Sequence, residues 1–323
     1  MKIHRGLAAF KPGRRKTAVA IGNFDGLHPG HQRILDRLGR IARRRRLRSV
    51  VLTFDPHPER ALGRHRTLMI ETLERRLGRL RDLGVEATLV TSFDRKLARL
   101  SPRDFIRKVL KEKLRAEVVV VGRDFRFGRN RAGDVRTLAR EGGAAGIRTV
   151  TVPPVLVGGR VASSSLVRRL LDRGRVEEAA RVLGRPYCVH GRVVPGRGVG
   201  RTLGYPTANL DSPNEILPRG VYITIARLGR TVRPSVTNIG FRPTFGPGGI
   251  SLETVLLRGG RKLYGRTLEV CFLKRLRPER KFASADALAR RIGLDIKAAQ
   301  EYFRRLPLDQ RPSPKGARSG RLP

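Results

Sequence analysis

The strongest constraint on this chain is a repeated alternation. From Lys16 to about Leu183, short apolar runs rich in β-branched residues take turns with stretches of helical periodicity. Runs at 17–22, 49–54, 87–91, 117–121 and 148–152 read as strands, and 31–46, 71–83, 102–114 and 134–145 read as helices between them. Short buried strands separated by helices specify a parallel sheet covered on both faces. Ser101-Pro102 marks one helix start, with serine as cap and proline in the first turn. Two further helices, 165–172 and 176–183, close this half. Past Gly184 the period changes. Strands at 187–194, 221–228, 232–239, 251–257 and 267–273 are parted by Gly/Pro turns, and no helix follows until 285–292 and 295–305. That pattern is a small β-barrel or sandwich with a terminal helical pair. The expected fold class is α/β: a Rossmann-like parallel-sheet domain over 1–184, a small β-barrel with terminal helices over 185–306, and a Pro-, Gly- and Arg-rich tail over 307–323 that lacks the apolar content for order.

The longest apolar runs, such as Val118 to Val121, are far too short to cross a membrane. The basic segment from Met1 to Lys16 has no continuous apolar stretch and is not a secretory signal. Two cysteines, Cys188 and Cys271, are expected to form neither a disulfide framework nor a zinc site. A cytoplasmic location follows as the default. The formal charge of +43 ordinarily argues for a polyanionic partner. Here the arginine excess is spread along the chain and no recognised nucleic-acid motif accompanies it, so compositional bias is favoured and no specific nucleic acid is expected. Any polynucleotide binding is expected to lack sequence preference and to fall steeply with salt through counterion release. Sequence-selective binding that survives high salt would reverse that ordering.

The first chemical segment is Ile21-Gly22-Asn23-Phe24-Asp25-Gly26-Leu27-His28-Pro29-Gly30-His31, between the first strand and the first helix. Ligands of open α/β sheets bind beyond the C-terminal strand ends. Glycines there admit a phosphate to the backbone, and a helix N-terminus offers free N–H groups. His28 and His31, three apart, can face one ligand and stabilise charge on an α-phosphate and a departing pyrophosphate. The competing readings are a capping histidine or zinc ligation, and zinc lacks its further ligands nearby. Ser163, Ser164 and Ser165 open a helix and alone would be caps. Beside the histidines, their hydroxyls and Arg168 suit a triphosphate. Gly122-Arg123-Asp124-Phe125-Arg126-Phe127-Gly128 follows a buried strand, and its two phenylalanines either stack on a planar ring or pack under the loop.

The second segment is a glycine-rich basic loop, Gly196 to Gly204, which includes Gly200 and Arg201 and leads into Tyr205-Pro206-Thr207-Ala208-Asn209. Thr207 and Asn209 share a face of an extended segment. Their oxygens can hold Mg²⁺ or fix a turn. Glu253, in a strand dense with apolar residues, is either a general base for a primary hydroxyl or an ion-pair partner.

Taken together these segments resemble the bacterial bifunctional riboflavin kinase/FAD synthetase family, in the family's order from about Thr17 to Phe303. Gly22-Asn23-Phe24-Asp25-Gly26 with His28-Pro29-Gly30-His31 is similar to its adenylyltransferase signature. Phe54-Asp55-Pro56-His57-Pro58 and Leu183-Gly184-Arg185-Pro186-Tyr187 match two further stretches. Gly200-Arg201-Thr202-Leu203-Gly204-Tyr205-Pro206-Thr207-Ala208-Asn209 is similar to its kinase signature. Asn238-Ile239-Gly240, Arg242-Pro243-Thr244 and Leu263-Tyr264-Gly265 continue the match.

The resemblance implies a nucleotidyltransferase domain and a kinase barrel. It implies ATP at Gly22, Phe24, Asp25, Gly30, the serine motif, Gly200 and Arg201, and flavin at Asp124, Phe125 and Phe127. It further implies Mg²⁺ at Thr207 and Asn209, Glu253 as kinase base, and His28 and His31 for adenylyl transfer. Riboflavin, FMN, FAD, ATP and pyrophosphate would be the small-molecule partners, with no membrane. Leu166 stands where the family usually has a second arginine. Arg258 and Lys262 replace common acidic residues. These departures leave open an enzyme with one live domain, and the charge leaves open a nucleic-acid-binding protein on the same scaffold.

Overall fold

The computed structural model describes residues 1–61, 63, 67–196, 198–241, 249–257 and 263–307, without the side chains of Val199 and Arg201. Arg242-Pro243-Thr244, Arg258, Lys262 and the tail from 308 lie outside the described residues. The chain divides into two compact units, Met1–Ser164 and Ser165–Pro323.

The first unit is a six-stranded sheet made of β1 (Lys2–Arg5), β2 (Thr17–Ile21), β3 (Arg48–Phe54), β4 (Ala87–Thr91), β5 (Ala116–Gly122) and β6 (Arg148–Val152). Its order is β1-β4-β3-β2-β5-β6, with every pairing parallel. No strand was expected before Thr17; β1 adds to the sheet edge by pairing Lys2 to Arg5 with Ala87 to Val90. A four-residue polar strand carries no apolar period long enough to read.

Strand residues alternate between two cores, as the period of two requires. Val19, Ile21, Val119 and Val121 face a cluster with Phe105, Val109 and Leu110. Ala18, Ala20, Val118 and Val120 face the other side with Leu35, Leu38 and Leu80. Those last three lie on α1 (Pro29–Arg44) and α2 (Leu73–Asp82). Phe105–Lys113 is wound as a π-helix, entered through a turn whose Ser101 side chain accepts from the Asp104 N–H at 3.0 Å. Asp134 caps α3 (Val135–Ala144) through the Thr137 N–H at 2.9 Å. A short hairpin, β7 (Leu156–Val157) and β8 (Arg160–Val161), turns on Gly158 and Gly159, both at positive φ, as a two-residue hairpin turn demands.

From the unit boundary onward, α4 (Ser164–Asp172) and α5 (Val176–Leu183) precede a closed antiparallel barrel. Its strands are β9 (Tyr187–Val194), β10 (Thr207–Asp211), β11 (Gly220–Leu228), β12 (Thr231–Phe241), β13 (Ile250–Leu256) and β14 (Thr267–Arg277), in the order β10-β13-β12-β11-β14-β9. Inside runs a buried hydroxyl chain: Thr224 meets Ser235 and Thr237 at 2.8 Å, and Thr237 meets Thr254 at 3.0 Å. Each hydroxyl satisfies another, so the polar layer carries little penalty.

Two expectations are corrected here. The terminal helical pair is a single helix, α6 (Ala285–Arg305). Gly293, in the gap between the two expected helices, is a packing residue: a Cβ there would lie 2.9 Å from the Tyr205 hydroxyl. The second correction concerns Cys188 and Cys271, which lie 83 residues apart in sequence but face each other across β9 and β14 with their sulfurs bonded. Barrel closure brings the first and last strands together, which spacing along the chain does not reveal.

Candidate active sites

β2 pairs with β3 on one side and β5 on the other. The chain runs outward from β2 through β3 to β4, then returns to β5, so the crevice between β2 and β5 is the topological switch point. The two loops singled out in this half leave these two strands. The loop after β2 is strained and pinned. Phe24 and Leu27 take positive φ, 51° and 39°, a costly conformation for residues with a side chain. The Asp25 carboxylate is fully buried and accepts the N–H of Ile70 and Glu71 at 3.0–3.2 Å. The Asp25 carbonyl accepts the Ser164 hydroxyl at 2.8 Å. The Asp25 side chain thus fixes the loop through backbone hydrogen bonds.

Arg76 was not anticipated. It is 1% exposed and donates to the carbonyls of Asn23 at 2.8 Å and Phe54 at 3.2 Å. Burial pulls its guanidinium below the ordinary arginine value, against the attraction of Asp25, Asp55 and Glu71. Asn23 Nδ2 lies 2.7 Å from His57 Nε2, which ties the signature to the stretch after β3. One arginine among so many carried no signal in the sequence.

His28 is the N-cap of α1, Pro29 fills its first turn, and His31 follows one turn on. The two imidazoles stack with centroids 3.8 Å apart, and the Phe24 ring meets His31 edge-on at 5.3 Å. Gly30 is needed for this approach, since a Cβ there would sit 3.1 Å from the His28 ring. Gly22 likewise lies against the Phe24 ring, at 3.3 Å from such a Cβ. The result is a pair of imidazole edges at a helix N-terminus, chemistry suited to a polyphosphate.

After β5, Asp124 is exposed, Phe125 half-buried and Phe127 buried in the core against Phe105. Phe125 and Phe127 stack at 5.5 Å. Phe127 therefore supports the loop, Phe125 packs half-buried against the same cluster, and Asp124 is left at the surface. In the serine motif Ser163 and Ser164 are half-buried and Ser165 exposed, and Leu166 is buried. Leu166, the departure from the family pattern, is a packing residue.

In the barrel, Asn209 pairs with Glu253 across β10 and β13, and Glu253 pairs with Asn238 across β13 and β12. Three polar side chains therefore share one row on three adjacent strands. They share the face of Val221 and Val236, which pack with Ala299 and Phe303 of α6, so the row is on the outer wall. Thr207 lies two residues from Asn209 on the same face. The glycine loop closes on this pair. A Cβ on Gly196 would overlap the Asn209 amide, and one on Gly200 would lie 2.9 Å from the Thr207 hydroxyl. Loop, Thr207, Asn209 and Glu253 are thus gathered into one site, and Asn238 joins them. Hydroxyl, amide and carboxylate oxygens are the hard donors that fit Mg²⁺. The Arg201 side chain lies outside the described residues.

A switch-point nucleotide crevice on a parallel sheet, and a small barrel with a glycine loop over a Thr/Asn/Glu cluster, define a two-site phosphotransfer scaffold. A family model described as FAD synthetase matches residues 11–166, and one described as riboflavin kinase matches 183–303. The bifunctional riboflavin kinase/FMN adenylyltransferase of Escherichia coli K12 is 36% identical over 307 residues, 94% of this chain and 98% of its own length. That of Bacillus subtilis is 35% identical over 304 residues, 92% and 95% of the two chains. A crystal structure described as a macrolide-efflux protein from Streptococcus pneumoniae superposes with a TM-score of 0.85 at 28% identity, over 95% of this chain and 100% of that one. Among the described residues no helix is long and apolar enough to cross a membrane. The chain belongs to the bifunctional riboflavin kinase/FMN adenylyltransferase family.

Proposed function

We propose that this chain phosphorylates riboflavin to FMN in its barrel and adenylylates FMN to FAD on its parallel sheet, using ATP for each step. The observation that carries this reading is that each fold presents its own glycine-bearing loop packed against polar side chains, while relatives named for both activities match nearly the whole chain. The functional division follows residues 1–184 and 185–306.

In the barrel, Glu253 takes the proton of the ribityl 5′-hydroxyl. That oxygen attacks the γ-phosphorus of ATP, and the bond to ADP breaks. Asn209 and Asn238 flank Glu253 and orient it, and Gly200 with Arg201 receives phosphate. Thr207 and Asn209 are the residues that would hold Mg²⁺, which neutralises phosphate charge when bound.

On the sheet, the FMN phosphate attacks the α-phosphorus of ATP and pyrophosphate leaves. His28 and His31 donate to the charge that develops there. Gly22, Phe24 and Gly30 shape the crevice, with Asp25 holding the loop. Ser163, Ser164, Ser165 and Arg168 receive the triphosphate, and Asp124 and Phe125 receive the flavin, backed by Phe127. A cytoplasmic location fits enzymes that draw on ATP.

The test is to incubate the purified chain with riboflavin and Mg²⁺-ATP and to separate the flavins. FMN followed by FAD is expected. FMN alone would show that only the barrel is active, and unchanged riboflavin would sink the proposal for the barrel. Arg168→Ala is expected to raise the ATP Michaelis constant of adenylylation and to leave riboflavin phosphorylation unchanged, because Leu166 supplies no second cation. An unaltered adenylylation profile would show that Arg168 has no phosphate role.

A further inference from the structure

The β9–β14 seam carries a cluster that neither activity uses. Cys188 pairs with Cys271, and His190 pairs with Glu269. By the period of two, all four side chains project from the same face of this two-strand ladder. Val189 and Val270, between them, are buried and point the other way. Ligand atoms of Cys188, Cys271 and Glu269 all lie within 4.8 Å of one another. Cys271 is fully buried and Cys188 half-buried. The Glu269 carboxylate also lies 3.7 Å from Arg227.

The cluster is remote from the kinase row. Cys188 is six residues along β9 from Val194, the residue that pairs with Asn209, a separation of about 20 Å at strand rise. With the sulfurs bonded, as the structure holds them, the face has no thiolate to offer. In a reducing compartment the pair is two thiols, and two soft thiolates beside a carboxylate form an anionic set.

We propose that the reduced outer face of the β9–β14 seam is a metal site, with Cys188, Cys271 and Glu269 holding a thiophilic divalent cation of the zinc class. Tetrahedral zinc takes sulfur at about 2.3 Å and carboxylate oxygen at about 2.0–2.2 Å, within reach of groups already this close. His190 faces Glu269 in the ladder but is outside that group of three, and water takes the fourth position. Disulfide and metal are mutually exclusive. A low-molecular-weight disulfide oxidises the pair: the two thiolates give up two electrons and form one S–S bond, the oxidant's S–S bond breaks to two thiolates that take protons from water, and the cation is released. The seam joins the first and last barrel strands, so either bond closes the barrel covalently.

The test uses the full chain, reduced under inert gas and titrated with Co²⁺ as the probe. Saturation at one equivalent is expected, with thiolate-to-cobalt charge-transfer absorption in the near ultraviolet and displacement by one equivalent of Zn²⁺. The chain has only two cysteines, so that band has one possible source. Cys188→Ser and the oxidised protein should lose the band, and Glu269→Gln should weaken binding by about tenfold or more. Riboflavin phosphorylation should persist in Cys188→Ser, which verifies that the barrel is intact. Should that variant fail to fold, Cys188→Ala serves in its place, and the oxidised wild type gives the same comparison without substitution. A reduced wild type without the band, or a band that survives loss of Cys188, overturns the proposal.

Discussion

Glu253→Gln is expected to lower FMN formation from riboflavin by roughly 10²–10⁴-fold, the usual cost of removing a general base, while FMN supplied from outside is still converted to FAD. The amide keeps the size of the side chain and its place between Asn209 and Asn238 but cannot take the hydroxyl proton. His31→Ala is expected to do the reverse: FMN accumulates and FAD does not form. His31 lies half-buried at the start of α1, so its loss removes one imidazole edge and leaves the Leu35, Leu38 and Ala42 stripe of that helix in place. One chromatogram per variant, with each flavin tried as substrate, reads both arms. Should Glu253→Gln stop both steps in a folded protein, two independent sites are the wrong description. Should neither variant slow its own step, the roles assigned to Glu253 and His31 are wrong.

Much of this was legible because the informative signals are local. Strand periodicity placed Ala87–Thr91, Arg148–Val152 and Tyr187–Val194 at their observed bounds. Glycines near His28 and Asn209 marked the places where a side chain meets a bare backbone. What stayed hidden depends on contacts across the chain. Thr207–Asp211 is too short and polar to announce itself as a strand, yet it completes the barrel between β13 and β9. The Cys188–Cys271 pairing follows only from barrel closure. Arg76 matters because of where α2 docks, not because of its neighbours in sequence. Asn238 was visible as part of a motif, but its place beside Glu253 is a matter of register. Phe125 and Phe127 show the limit of pattern alone: alternate residues of one loop divide into a half-buried ring and a fully packed core ring.

Asp295→Ala is expected to produce the largest loss of stability among single changes in the second unit. Asp295 is 3% exposed on α6, and its carboxylate accepts the Arg277 Nε at 3.0 and 3.2 Å and Nη2 at 2.8 Å. Arg291 Nε adds an ion pair at 3.2 Å. The Arg277 side chain is only 13% exposed, so removing the acid leaves a buried guanidinium with its main counter-charge gone. Breaking such a pair from one side costs about 3–5 kcal/mol, more than the intact pair itself contributes, because the stranded charge stays out of water. The effect should reach the kinase chemistry, because Ala299 and Phe303 of the same helix pack on Val221 and Val236, which share the outer face of β11 and β12 with Asn238. Urea unfolding followed through riboflavin phosphorylation should therefore shift to lower denaturant in Asp295→Ala. Adenylylation of supplied FMN, whose His28 and His31 lie in the first unit, should shift less. The companion variant Arg277→Met with Asp295→Leu removes both charges and should recover much of the loss, as replacing a buried pair by apolar groups does elsewhere. A single-variant loss below about 1 kcal/mol would show that water reaches Arg277 and that α6 is held by its apolar face alone.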